Sequence, residues 1–545
     1  MFGLKSVYFY LIACQITFIK FFKKLYFSSK NYNKSLETES PKQVYYNPNP
    51  YLLSIITSYN SQSFKINEID PNIFWLENKK KDAEQMHNFF WLSLIDRKTD
   101  HSKIKKIIYI WILRNSKYKK NIWETSTLSA RVISWILNVD IILKNSTFDF
   151  RKNFLSCIIS QTNHLKKNIK FEKDFSKKIE ILTAIILTGL VFKEYKENFD
   201  IGIKELESLV KNFFDHDGFP LSRNPSDLVF FFKYLIFCKE VIKDSQKYVP
   251  EFLEDIIEKN LTCIHSIKTP NNQLPLFNGA KITKLNQIEK YLEGFKSKNK
   301  NSNFGGLFKI KHKNHFLLID IDKPPQKKFS KSYQSGPLSF EYFFDNQKVI
   351  TNSGFGVNIS KKARLLSRFT SSQSALCLND TSIVGFEKNN IMNKAYGFLI
   401  KRDFKILDLD HINDSNEIKV KASHNAYLKN FGCIHNRAIS IDKIKNKVVG
   451  QDKLIRKSTN LRIKYDVRFH LYPGITAVQT LGGSNLLIQI NKNKALLFST
   501  NEKSLKIEKS IFFGGQKVLD NYCIVISGIM ENNEKIINWE IVKKI

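Results

Sequence analysis

Two side chains in the C-terminal half of the sequence are of types that can move protons: Tyr333, if neighbouring cations lower its pKa, and His424, within the run Ser423-His424-Asn425. Three more can grip a carboxylate: Arg131, Arg223 and Asn224, the arginines through paired parallel donors. Acid–base work on a carboxylate-bearing substrate is the chemistry that such a set can perform. Some of these residues also have a structural reading. Tyr333 can be a packing residue, and Arg131 can pair with a nearby carboxylate from a helix. His470, alternating with Phe469 and Leu471 at strand period, reads as a structural histidine, and Asn163-His164 as a solvated helix face.

Two kinds of element must position these residues. Ile107-Tyr109-Ile110-Trp111-Leu113, Leu128-Val132-Ile133-Trp135-Ile136 and Ile179-Leu182-Ile185-Ile186-Leu190 are spaced as the apolar faces of helices, and this texture runs to about residue 268. After Pro270-Asn271-Asn272 the runs shorten to strand length: Phe316 to Ile321, Leu338 to Phe344, Arg462 to Leu471, Leu486 to Ile490 and Ala495 to Phe498. Gly, Asn and Lys turns separate them. The pattern predicts an N-terminal segment over 1–45, a helical domain over 46–290 and a β-sheet domain over 291–545. Lys298 to Ser302 forms a polar connector near the junction.

Composition bounds the partners. With 545 residues, two cores are expected, and 42% hydrophobic content excludes general disorder. Eighty-six Lys and Arg against 51 Asp and Glu give +35, which favours acidic polysaccharide, nucleic acid or an anionic membrane face. Compositional bias explains the same excess, since Lys, Asn, Ile and Phe are abundant together and the basic residues are dispersed. No recognition helix, zinc finger or ribonucleoprotein motif occurs, so nucleic acid is not an expected partner. Cys14, Cys157, Cys238, Cys263, Cys377, Cys433 and Cys523 are widely spaced without a CxxC pair, which argues against a disulfide framework or a cysteine zinc site.

The N-terminus supports several readings. Val7 to Ile19 is apolar enough for a signal core but runs into Lys20, Lys23 and Lys24, and Leu11-Ile12-Ala13-Cys14 is similar to a lipoprotein box. The run is short and interrupted for a transmembrane helix. A basic amphipathic helix, lying on a membrane surface or packed on the first domain, fits at least as well.

Ordered motifs then add a resemblance. Gly336-Pro337-Leu338-Ser339-Phe340-Glu341, Val349-Ile350-Thr351-Asn352-Ser353-Gly354 and Arg368-Phe369-Thr370-Ser371-Ser372-Gln373-Ser374-Ala375-Leu376 resemble the C-terminal domain of heparinase II/III-like proteins. Asp217-Gly218-Phe219 with Ser222-Arg223-Asn224-Pro225, Leu276-Phe277-Asn278-Gly279, Ala422 to Tyr427 and Arg468 to Leu471 resemble elements of an alphaproteobacterial-type branch. Trp123-Glu124 with Arg131 to Trp135 resembles that family's N-terminal helix, so the likeness spans most of the chain from about residue 70.

The resemblance implies an incomplete (α/α) toroid of antiparallel helices followed by an antiparallel β-sandwich or stacked β-sheets. It implies a polysaccharide lyase that breaks uronic-acid polymers by β-elimination, in the cell envelope or periplasm; the cytoplasmic face of a membrane stays open. It also exposes departures. Family histidines fall on Ser332, Gln334 and Gln373, the motif Asp on Gly336, and an Asn-His pair near Ser176 and Lys177. The zinc ligands of some members correspond to Gln334, Asn352 and Gln373. Neutral amides are poor zinc ligands, so neither metal nor cofactor is expected. Gln334 and Gln373 remain substrate-binding candidates beside Arg131, Arg223 and Asn224, with Tyr333 and His424 as catalytic candidates. The alternative function is a catalytically degenerate carbohydrate-binding or envelope-assembly protein.

Overall fold

A computed structural model describes residues 4–57, 70–71, 74–75, 83–97, 101–295, 301–387, 390–396, 399–456, 462–483 and 485–544. It divides into two compact units, Met1–Phe214 with Val229–Asn260, and Asp215–Leu228 with Leu261–Ile545. The expected 290/291 boundary lies inside the second unit. Residues 298–300 of the polar connector lie outside the described residues.

The first unit is helical, as an incomplete (α/α) toroid. Its main helices are Leu4–Phe27, Ser102–Asn115, Thr125–Leu137, Phe148–Asn168, Phe175–Val191, Glu197–Phe213, Pro225–Asp244 and Glu251–Ile267, the last continuing past the unit's end. Three periodic runs of the sequence fall on three of these helices. Caps set where they start: Glu124 accepts the Ser126 and Thr127 N–H groups, Thr147 that of Phe150 and Asp174 that of Ser176. Phe89, Trp111 and Trp135 meet edge to face at the centre, with ring centroids 5.1–5.8 Å apart.

The second unit carries two antiparallel sheets. In chain order the strands are β1 (Asn303–Phe304), β2 (Leu307–His312), β3 (His315–Asp320), β4 (Phe340–Phe344), β5 (Gln347–Thr351), β6 (Leu376–Leu378), β7 (Ile406–Asn413) and β8 (Glu417–His424). They continue as β9 (Cys433–Asp442), β10 (Lys447–Arg456), β11 (Ile463–Leu471), β12 (Thr476–Gln479), β13 (Asn485–Asn491), β14 (Lys494–Thr500), β15 (Ser504–Phe512), β16 (Leu519–Met530) and β17 (Glu534–Lys544). One sheet runs β1-β2-β3-β4-β5-β11-β16-β15 with β6 beside β11; the other runs β12-β13-β14-β17-β10-β9-β8-β7. A single core is fed by both, including Phe340 and Phe469 from the first and Val448, Phe498 and Trp539 from the second. That makes the unit a sandwich.

Gly450 sits in the middle of β10, where a glycine ordinarily weakens a strand. It pairs in register with Trp539, whose ring lies where a Cβ would be, 2.0–2.4 Å from that position. The missing side chain lets Trp539 stack on Phe340 at 5.5 Å and Phe498 at 6.3 Å. Gly450→Ala is expected to destabilise the protein by about 1–3 kcal/mol through overpacking. Gly482→Ala, where nothing lies within 4 Å, should be nearly neutral; chemical denaturation of the two variants checks the contrast.

Candidate functional site

The motif loop before β4 is buried and tied down by its own polar groups. The Gln334 side-chain oxygen accepts the Gly279 N–H at 2.9 Å, while its amide nitrogen donates to the Gly354 and Ser367 carbonyls at 2.9 and 2.7 Å. Gln373 donates to the same Ser367 carbonyl at 2.9 Å. The Asn352 oxygen accepts the Ser374 N–H at 3.0 Å, and its buried amide nitrogen has no partner among the described residues. A Cβ on Gly336 would stand 2.9 Å from Gln373 Cγ, so the aspartate of the family motif would collide here. Gln334 and Gln373 thus converge on one backbone oxygen, as two histidines would converge on a metal. These amides do not fit a zinc ion: their donors point at carbonyls, and no anionic or imidazole ligand joins them. Among the described residues no group of three His, Cys, Asp or Glu is arranged to hold a metal.

Arg223, on the Asp215–Leu228 segment, has a left-handed backbone, φ 58°. Its guanidinium pairs with Asp320 and donates to the Gly305 carbonyl at 3.0 Å and the Lys323 carbonyl at 2.9 Å. Asn278 donates to the other Asp320 oxygen at 3.2 Å. Gly305 and Gly306, both at positive φ, leave the space that the Phe219 ring and the Arg223 guanidinium occupy. Arg223 therefore spends its donors inside the protein. Asn224 accepts the Ser226 N–H at 2.9 Å and donates to Asp227, at the start of the Pro225–Asp244 helix. Tyr333 is completely buried beside this cluster, its hydroxyl without a partner among the described residues. Burial, reinforced by Asp320, pushes its pKa up; the Arg223 cation nearby does not reverse this, so the lowering that a catalytic role requires is not found.

His424 lies at the end of a buried chain of polar contacts. The Ala426 N–H points at its Nδ1 at 3.3 Å, its Nε2 meets His435 Nδ1 at 3.1 Å, and His435 Nε2 meets Asp452 at 2.6 Å. This order fits two neutral imidazoles, each donating from Nε2. Asp452 also accepts from Arg437 Nε at 2.8 Å and Trp539 Nε1 at 3.0 Å. Desolvation holds the His424 and His435 pKa values below the usual imidazole range, while Arg437 and His435 together hold the Asp452 carboxyl low. His435, Arg437 and Asp452 carry no local sequence signal, because register alone brings Arg437 opposite Asp452 and His424 opposite His435. His470 is likewise internal, bonded to Ser510 at 3.0 Å and the Ser371 carbonyl at 2.9 Å.

In the helical unit Arg131 is fully buried. It donates to Gln161 at 2.6 Å and the His87 carbonyl at 2.8 Å, and lies 4.4 Å from the Trp111 ring; among the described residues no carboxylate pairs with it. His164 is buried too, its Nδ1 2.7 Å from the Tyr32 hydroxyl, which replaces the solvated face expected for Asn163-His164.

A cavity of about 380 Å³ opens nearby, lined by Glu84, Asn88, Glu124, Lys177, Glu180 and Tyr234 among others. Lys177 pairs with Glu124. Glu180 lies beside Tyr234 and Ser126 with one carboxyl oxygen buried and without a partner among the described residues, and desolvation pushes its pKa up to about 7. Sequence reasoning passed over Glu180, whose only signal is its place one turn after the Ser176-Lys177 register.

Comparison with family models matches residues 298–540 to "Heparinase II/III-like, C-terminal" and residues 27–303 to "Heparinase II/III N-terminus". Comparison with curated proteins finds no match. Among solved structures, the chain is similar to a crystal structure of heparinase III, with a TM-score of 0.67 and 14% identity, over 91% of this chain and 84% of that one. It is also similar to heparan sulfate lyase HepC from Pedobacter heparinus, with a TM-score of 0.63 and 16% identity, over 91% and 82%. At such identity the likeness is one of fold.

Two outcomes are expected. Elemental analysis of purified protein should find no stoichiometric zinc; a full bound equivalent would contradict the account of the amides. Desolvation pushes the His470 pKa down to about 4 and that of His164 to about 3, so both are neutral when folded yet take up protons below about 6.5 when unfolded. Stability is then fully present above pH 6.5 and falls as the pH drops toward 4, by roughly 1–2 kcal/mol per imidazole at pH 5. Denaturation midpoints at pH 7.5 and 5 measure this.

Proposed function

The chain belongs to the heparinase II/III family, a family of polysaccharide lyases, and from that premise we propose that it cleaves an acidic, uronic-acid-containing polysaccharide by β-elimination. The observation that carries this reading is the helical-unit cavity lined by Lys177, near the register of the family's Asn-His pair, and by Glu180 one turn further on. In β-elimination a base removes the C5 hydrogen, a double bond forms between C4 and C5, and the C4–O4 bond breaks as the leaving oxygen is protonated. The C5 hydrogen becomes acidic enough only when the adjacent carboxylate is neutralised. A protonated Glu180 carboxyl donates a hydrogen bond to that carboxylate, and the Lys177 ammonium supplies charge beside it. The net charge of +35 favours approach of a polyanion.

A second reading, binding without turnover, draws support from the burial of both acid–base candidates. Tyr333 and His424 are wholly enclosed, and His424 is neutral with both ring nitrogens engaged.

A panel of uronic-acid polymers separates the readings. Turnover gives an unsaturated product absorbing in the near ultraviolet; salt-sensitive binding without that absorbance identifies the binding-only protein. Under either reading Lys177→Ala should weaken polymer binding about 10-fold or more, the loss of a hydrogen bond to a charged group. Binding should also decline as pH rises through about 7, because Glu180 then ionises and repels the uronate. Glu180→Gln should keep the affinity and abolish that decline; an unchanged pH profile would remove Glu180 from the site.

A further inference from the structure

The Leu4–Phe27 helix contains four Lys, eight aromatic residues and no Asp or Glu within 24 residues. Val7, Leu11, Phe18, Phe22 and Leu25 recur at helical spacing on one face and are all exposed, Leu11 by 61% and Phe18 by 63%. Its C-terminal end is anchored: the Phe27 ring lies 4.7 Å from Tyr32, 5.3 Å from Tyr118 and 5.2 Å from His164, and Lys23 Nζ sits 3.4 Å over the Phe171 ring. Lys167 and Lys170 are exposed beside this anchor, with Glu172 the carboxylate facing Lys23. The exposed apolar face is thus held at one end by a rigid aromatic cluster and flanked there by cations.

We infer that this helix seats the protein on an anionic lipid bilayer, lying in the plane of the interface. Charge complementarity selects the occupant: aliphatic and aromatic side chains enter the headgroup region while lysines meet lipid phosphate. No described helix is long and apolar enough to cross a membrane, which accords with a surface position. A bilayer-seated chain would hold its saccharide-binding unit beside an envelope surface, a role that stands whether or not the cavity of Lys177 and Glu180 turns over polymer.

Flotation of the full chain with vesicles tests this. Phosphatidylcholine vesicles containing a quarter phosphatidylglycerol should carry the protein upward, pure phosphatidylcholine should carry much less, and raised salt should reduce the difference. The double variant Leu11→Ser, Phe18→Ser, at exposed positions remote from the anchor, should lose at least 10-fold in vesicle binding with an unchanged thermal melt and unchanged polymer binding. Equal flotation of variant and parent, or no flotation with anionic vesicles, overturns the inference. So does light scattering that shows a dimer dissolved by the double substitution while lipid binding persists, since a second copy of the chain would then be the occupant.

Discussion

Asp452 and Arg437 face each other across two antiparallel strands with no solvent to screen or hydrate them. Burying either charge alone would cost several kcal/mol, so the pair persists only because its remaining hydrogen-bonding capacity is filled. Arg437, His435 and Trp539 all donate to Asp452. The spare Arg437 donors reach the Leu338 carbonyl at 2.8 Å and the Ser374 carbonyl at 3.0 Å. Those carbonyls lie in the segments leading into β4 and β6, so one guanidinium ties the two sheets together at the loops that carry the family motifs. Gly450 is part of the same arrangement, because Trp539 could not reach Asp452 over a side chain.

Around that clamp, the positions that the resemblance sets against a metal site make side-chain amide hydrogen bonds to backbone. A metal cage gathers anionic or neutral ligands around a cation; here Gln334 and Gln373 gather their donors around the Ser367 oxygen instead. The loop keeps its shape without any charge at its centre. In the helical unit, Glu180 has a buried oxygen without a partner among the described residues, and the Lys177 cation is held by Glu124.

The Asp215–Leu228 segment shows how a loop can leave the unit in which its neighbours fold. Its Arg223 is bound by Asp320, Gly305 and Lys323, all in the β unit, and of the two glycines at positive φ, Gly306 leaves room for Arg223 and Gly305 for Phe219. The run Ser222-Arg223-Asn224-Pro225 reads from sequence as a carboxylate grip. The carboxylate it meets here is the protein's own Asp320.

Residue spacing alone determined the class and order of the elements: apolar periods near 3.6 produced the helices around Trp111, Trp135 and Ile185, a continuous apolar run produced β3, and alternating runs produced β11 and β13. The motifs from Gly336 to Leu376 determined the family, because their order along the chain is itself the evidence. Chemistry was less legible. Tyr333, His424 and Arg131 have the right side chains for proton transfer or anion binding, but a side chain acts only with the partners and solvent it meets. Burial, strand register and helix packing supply those, and they depend on residues tens to hundreds of positions away. Only tertiary structure could therefore decide that His424 is a neutral link to His435, that Arg223 is spoken for by Asp320, and that Glu180 is desolvated enough to hold a proton near neutral pH.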